Sequence, residues 1–111
     1  MFDAKYKQAY LTQDVFERID QFWEWFQLQH KEIEKLIKEQ NKIVLNTFEK
    51  ELGKIFKDYK KVVPFALGYS DNKYKLYIYF GHNSYILTIG DELYNRMPKN
   101  LKQDWVLYIE K

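Results

Sequence analysis

Cysteine is missing from this chain. Disulfides, thiolate catalysis and cysteine-based zinc or iron–sulfur sites are therefore excluded together. Histidine occurs only twice, as His30 and His82. No His-x-x-x-His or His-Glu-x-x-His pair is present to hold a metal. Four glycines leave little material for phosphate-cradling loops, and no P-loop, Gly-x-Gly-x-x-Gly or Gly-x-Ser-x-Gly pattern occurs. No window approaches the roughly 18 apolar residues of a transmembrane helix. Met1-Phe-Asp-Ala-Lys-Tyr-Lys7 lacks the apolar run of a signal peptide. Neither sign of charge is in excess: 18 basic and 16 acidic residues give a net charge of +2. So balanced a surface predicts no strong membrane or nucleic-acid footprint. The expectation is a cytoplasmic, non-enzymatic protein with no cofactor, no metal and no membrane contact.

What the chain does have is apolar and aromatic surface. Hydrophobic residues make up 46% and aromatics 19% of 111 residues, enough for one globular domain with a core of its own. The expected unit is a single α+β domain over residues 1–111. Residues 1–13 form an N-terminal arm, because no clear period runs through them. Asp14 and Glu17 have capping-box spacing, as N-cap and N3 acid. Ile19, Phe22, Trp23, Phe26, Ile33 and Ile37 then recur at helical spacing. A second helical stripe runs through Val44, Phe48, Leu52, Ile55 and Tyr59. One helix through both would be roughly 69 Å long at about 1.5 Å per residue, far longer than a compact domain allows. A turn is therefore placed at Gln40-Asn41-Lys42. Gly53 lies within the second stripe and costs helix stability unless it permits a close helix–sheet contact.

From Val62 the period changes. Val62 to Tyr69 reads as a strand, Ser70-Asp-Asn-Lys73 as a turn, and Lys73 to Phe80 as an alternating strand. That alternation sends Tyr74, Leu76, Ile78 and Phe80 to one face and Lys75, Tyr77 and Tyr79 to the other. Tyr85-Ile-Leu-Thr-Ile89 is β-prone, yet Ile86, Ile89, Leu93 and Met97 step by three and four before Pro98. The helix is favoured, with Gly90 as its weak point. Trp105 to Ile109 closes the chain as a strand. The order is α-α-β-β-α-β, with the two N-terminal helices on one face of a small antiparallel sheet.

Gln21-Phe-Trp-Glu-Trp-Phe-Gln-Leu-Gln-His30 concentrates two of the three tryptophans. Phe22 and Phe26 fall in the middle of the apolar stripe. Trp23 and Trp25 fall on opposite borders, with Trp23 expected under the second helix or the sheet. Trp25 either packs on the arm, against Tyr6 or Tyr10, or lies at a dimer or partner interface, where Trp is enriched. Tyr77, Tyr79 and Tyr108 are the other candidates for partner binding, since Tyr combines apolar area with a polar tip. The same tyrosines with Lys73 and Lys75 could instead stack the bases of a nucleic acid, or pair across strands as ordinary sheet stabilisation. His82, in the loop after the second strand, and Asp91 are candidates for a loop site. Acidic pairs such as Glu32/Glu34 read as solvated.

Phe22-Trp-Glu-Trp-Phe26, the hairpin, and Leu93…Met97-Pro98…Leu101…Trp105-Val-Leu-Tyr-Ile109 resemble a group of small bacterial domains of unknown function. Those open with a Trp-x-Trp-Phe helix and close with a helix ending before Pro, then a Trp-led strand. The resemblance covers most of residues 14–111. It implies an α+β fold and an immunity-like or other protein-binding role, with a protein partner or a homodimer. It carries over no catalytic residue. The chain departs from those domains at Phe80-Gly-His-Asn83, where they have a small acidic Gly loop.

Overall fold

Thr12, not Asp14, caps the first helix. The Thr12 side chain accepts a hydrogen bond from the Val15 N–H at 3.3 Å, so helix α1 runs Gln13–Lys38. Asp14 then falls in the first turn, where its carboxylate suits the helix dipole and pairs with Arg18 one turn on. The computed structural model describes residues 12–59, 63–81 and 84–110, with Tyr85 by its backbone. The remainder of the expected arm and His82 lie outside the described residues.

Helix α2 is Ile43–Ile55, strand β1 Phe65–Ser70, strand β2 Lys73–Tyr79, helix α3 Ser84–Asn95 and strand β3 Trp105–Glu110. The α+β order is the one read from the sequence. The apolar stripes place Ile19, Phe22, Phe26 and Ile33 of α1 against Phe48, Leu52 and Ile55 of α2, all buried. Phe26 sits at the centre, with its ring centroid 4.8 Å from Trp105 and 5.5 Å from Phe48. Each such side chain contributes about 1.5–3 kcal/mol when fully buried.

The hairpin turns at Asp71 and Asn72, both left-handed, with φ of 53° and 64°. Two such residues make the turn whose twist matches flanking strands. The sheet order is β1-β2-β3, and β1 pairs antiparallel with β2. The expected all-antiparallel sheet is corrected at β3, which runs parallel to β2, Leu76 opposite Leu107. The cause is the segment after Gly81. Because Ser84–Asn95 is a helix, it carries the chain back along the sheet, and a strand entered after such a crossover runs parallel.

Gly90 of α3 has a reason to be glycine. A Cβ there would lie 2.8 Å from the ring of Phe80, which is itself buried. Gly53 makes no close contact that would offset its cost to the helix, for nothing lies within 4 Å of its Cβ position among the described residues. Two arginines tie helices together. Arg18 donates to Asp14, to Asp58 and to the Ile55 carbonyl. Arg96 donates to Glu92 and Asp20 and lies 4.4 Å from the Phe16 ring centroid. The Glu92 carboxylate first, and then Asp20, hold its guanidinium above the ordinary arginine range.

Candidate functional site

The turn between α1 and α2 builds one wall of a groove. The Gln40 N–H donates to the Ile37 carbonyl at 3.0 Å and the Asn41 N–H to the Leu36 carbonyl at 2.9 Å. That pair of bonds ends a helix with its C′ residue left-handed. Gln40 occupies this position with φ 55°, where glycine is the usual residue and any other pays for its Cβ. The Asn41 side chain then accepts the Ile43 N–H and starts α2. The turn predicted at Gln40-Asn41-Lys42 is thus where it was placed.

Strand β1 builds the other wall. The Tyr79 N–H donates to the Pro64 carbonyl, which fixes the phase of the ladder. Ala66, Gly68 and Ser70 direct their backbone groups to β2, while Phe65, Leu67 and Tyr69 direct theirs to the opposite edge, which no strand among the described residues pairs. Between this edge and the turn lies a groove of about 650 Å³. Leu36, Ile37, Val44, Leu45 and Leu67 make it apolar; Lys38 and Lys42 make it basic; Tyr69 closes one end. A smaller hollow of about 140 Å³ adjoins it, sharing Leu36 and Val44 and reaching Trp25.

Lys38 lies 5.1 Å from the ring centroid of Tyr69 and 5.8 Å from that of Tyr74. Tyr74, and after it Tyr69, hold its ammonium above the ordinary lysine range, against a smaller desolvation effect. From there contacts run inward. Tyr74 stacks on Trp105 with centroids 5.2 Å apart. The Trp105 indole N–H donates to Glu34 at 2.9 Å, and the same carboxylate oxygen lies 2.9 Å from His30 Nδ1. Glu34, expected on a solvated face, is buried. Its position one residue after Ile33 and one turn after His30 was the only sequence signal for this.

The predicted site residues fall in separate places. Trp25 is half-buried against Phe22, Phe26 and Phe48, at the adjoining hollow. It packs on α2, the role expected of Trp23, whereas the Trp23 indole N–H donates to the Leu93 carbonyl of α3. Tyr77 and Tyr108 stack on the sheet face away from the helices, centroids 4.7 Å apart and planes 10° apart. Tyr79 on that face is exposed. Lys75 lies 3.8 Å from Asp71, and Lys73 donates to the Gln103 carbonyl. Asp91 is an exposed residue of α3. Among the described residues no cluster of three acidic or histidine side chains could hold a metal, and no helix is long and apolar enough to cross a membrane. Compared with known proteins, the chain matches no family model, no curated protein and no solved structure. The groove was not anticipated, because it exists only where the α1–α2 turn meets β1.

Proposed function

We propose that this chain is a non-enzymatic protein-binding module that docks its partner along the free edge of β1 and in the adjoining groove. The observation that supports this reading most is the coincidence of outward backbone groups at Leu67 and Tyr69 with an apolar hollow beside them. Unpaired strand edges are templates for another chain. Ile43, Leu45 and Tyr69, three of the six large exposed hydrophobics among the described residues, belong to this end of the molecule. Native edges are often blunted by charge or proline; Phe65-Ala-Leu-Gly-Tyr-Ser70 carries neither. An immunity-like protein acts by occupying its target, and the role implied by the resemblance to small bacterial domains is of that kind.

The nucleic-acid reading of the Tyr face has less support. Tyr77 and Tyr108 already cover each other, and Lys73 and Lys75 are engaged within the molecule. The test is affinity purification from lysate of the producing cells, with nuclease and moderate salt. Wild type is compared with Leu45→Glu, Tyr69→Pro and Tyr77→Ser/Tyr108→Ser. Leu45 is exposed and the Tyr69 N–H points off the sheet, so both groove variants should fold. A protein held by wild type and the double Tyr variant, but lost from both groove variants, is the expected result. Retention by both groove variants would refute the assignment.

A further inference from the structure

Building on that reading of the β1 edge, we infer that its occupant is an extended, acid-bearing segment of a partner protein, added to β1 as a further strand. The backbone sets the shape of this ligand. Three residues of β1, Phe65, Leu67 and Tyr69, offer outward N–H and C=O groups at alternate positions. They match an extended segment of about five residues, on the order of 16 Å at roughly 3.3 Å per residue. A folded convex surface would leave those groups without partners. β3, the other edge strand, buries its outward Trp105 and Leu107, whereas Tyr69 of β1 is exposed.

The groove sets the chemistry. An added strand turns alternate side chains toward the helix side of the sheet. There they would meet the apolar wall of Leu36, Val44 and Leu45, with Lys38 and Lys42 beside it. No Asp or Glu among the described residues lines the groove. Among the described residues, no carboxylate lies within ion-pair distance of either lysine. A carboxylate on the incoming segment supplies an ion-pair partner for Lys42, and for Lys38 in addition to its contacts with Tyr69 and Tyr74. A second copy added through its own β1 offers none from within that strand, since Phe65-Ala-Leu-Gly-Tyr-Ser70 contains no acid.

The experiment is selection of random heptapeptides on the full chain by display. Affinities of enriched peptides are then measured by fluorescence anisotropy, together with amide hydrogen exchange of the complex. Lys42→Glu serves as the charge variant, because an acid before the first turn of α2 favours that helix and leaves folding intact. The expected peptides carry Asp or Glu and protect the amides of Leu67 and Tyr69. Their affinity falls about tenfold in Lys42→Glu, as expected for loss of a charge-assisted contact, and it falls with added salt. Neutral peptides that protect the same amides equally well would overturn the acidic occupant while leaving the docking edge standing. Absence of enrichment, or binding that leaves Leu67 and Tyr69 unprotected, would overturn both. A concentration-dependent dimer that protects those amides without peptide would assign the edge to a second copy and overturn the inference.

Discussion

The Glu34 carboxylate accepts the indole N–H of Trp105 at 2.9 Å, joining the C-terminal part of α1 to the first residue of β3. Both residues are buried, so the bond replaces water for both partners. Glu34→Ala leaves the indole N–H without an acceptor, at a cost of about 1–3 kcal/mol. Glu34→Gln keeps an acceptor in place and should lose clearly less. Urea unfolding monitored by tryptophan fluorescence compares the two. Equal losses would show that the carboxylate serves only to fill space.

Gly90 and Gly53 should respond oppositely to alanine. At Gly90 the new methyl meets the buried Phe80 ring, and overpacking of this kind costs about 1–3 kcal/mol. Gly90→Ala combined with Phe80→Leu should recover part of that loss. At Gly53 the methyl meets open space, and Gly53→Ala should stabilise α2 by up to about 1 kcal/mol. Thermal unfolding of the single variants gives both signs directly.

Gln40 holds a left-handed conformation at the C′ position of α1. Relief of the Cβ clash is worth about 1–2 kcal/mol, and the extra freedom of glycine in the unfolded chain offsets about 0.5–1 kcal/mol of it. Gln40→Gly should therefore stabilise the fold by about 0.5–1 kcal/mol. If the Gln40 side chain also contacts the docked segment, the same variant will bind peptide more weakly despite being more stable.

The Tyr77–Tyr108 stack should behave as a coupled pair. A double-mutant cycle with alanine at each position is expected to give a coupling of about 0.5–1.5 kcal/mol, and peptide binding at β1 should be unchanged. A coupling near zero would free this face for the role in partner binding that its tyrosines first suggested.

Arg18, by hydrogen bonding, holds the Asp14 carboxyl below the ordinary value of 3.8, against a smaller opposing effect of desolvation. The sign follows from linkage. A carboxyl with a lowered folded pKa adds stability above its unfolded pKa and loses it as pH falls through the folded value. Wild type should thus exceed Asp14→Asn in melting temperature at neutral pH. The gap should close as pH drops below 3.8. A gap that persists in acid would assign the difference to packing at the first turn.

Much of the fold could be read from periodicity. Ile19, Phe22, Phe26 and Ile33 are core because side chains spaced by three and four share a helix face, and they are buried. Tyr74, Leu76 and Ile78 are core because alternate strand residues share a sheet face, and they too are buried. The start of α1 was missed by two residues. Thr12 and Asp14 are both good caps, and the choice fell to the threonine hydroxyl that reaches the Val15 N–H. The candidate site was hardly legible. Trp25 marked one end of it, but Lys38, Lys42, Leu67 and Tyr69 carry no common pattern in the chain.

By itself the sequence determined the kind of elements, their order and the faces they bury, since these depend on neighbours within a turn or a strand. It also excluded cysteine chemistry, by composition alone. Tertiary structure decided what depends on residues far apart in the chain. β3 is parallel to β2 because α3 intervenes as a crossover. Trp23 bonds to α3 and Trp25 packs on α2 because of how those helices lie across α1. Glu34 is buried because Trp105, 71 positions later, needs an acceptor there. The groove arises where the α1–α2 turn stands beside an edge strand whose outer side no strand among the described residues pairs, and its lysines and outward backbone groups come together only through that proximity.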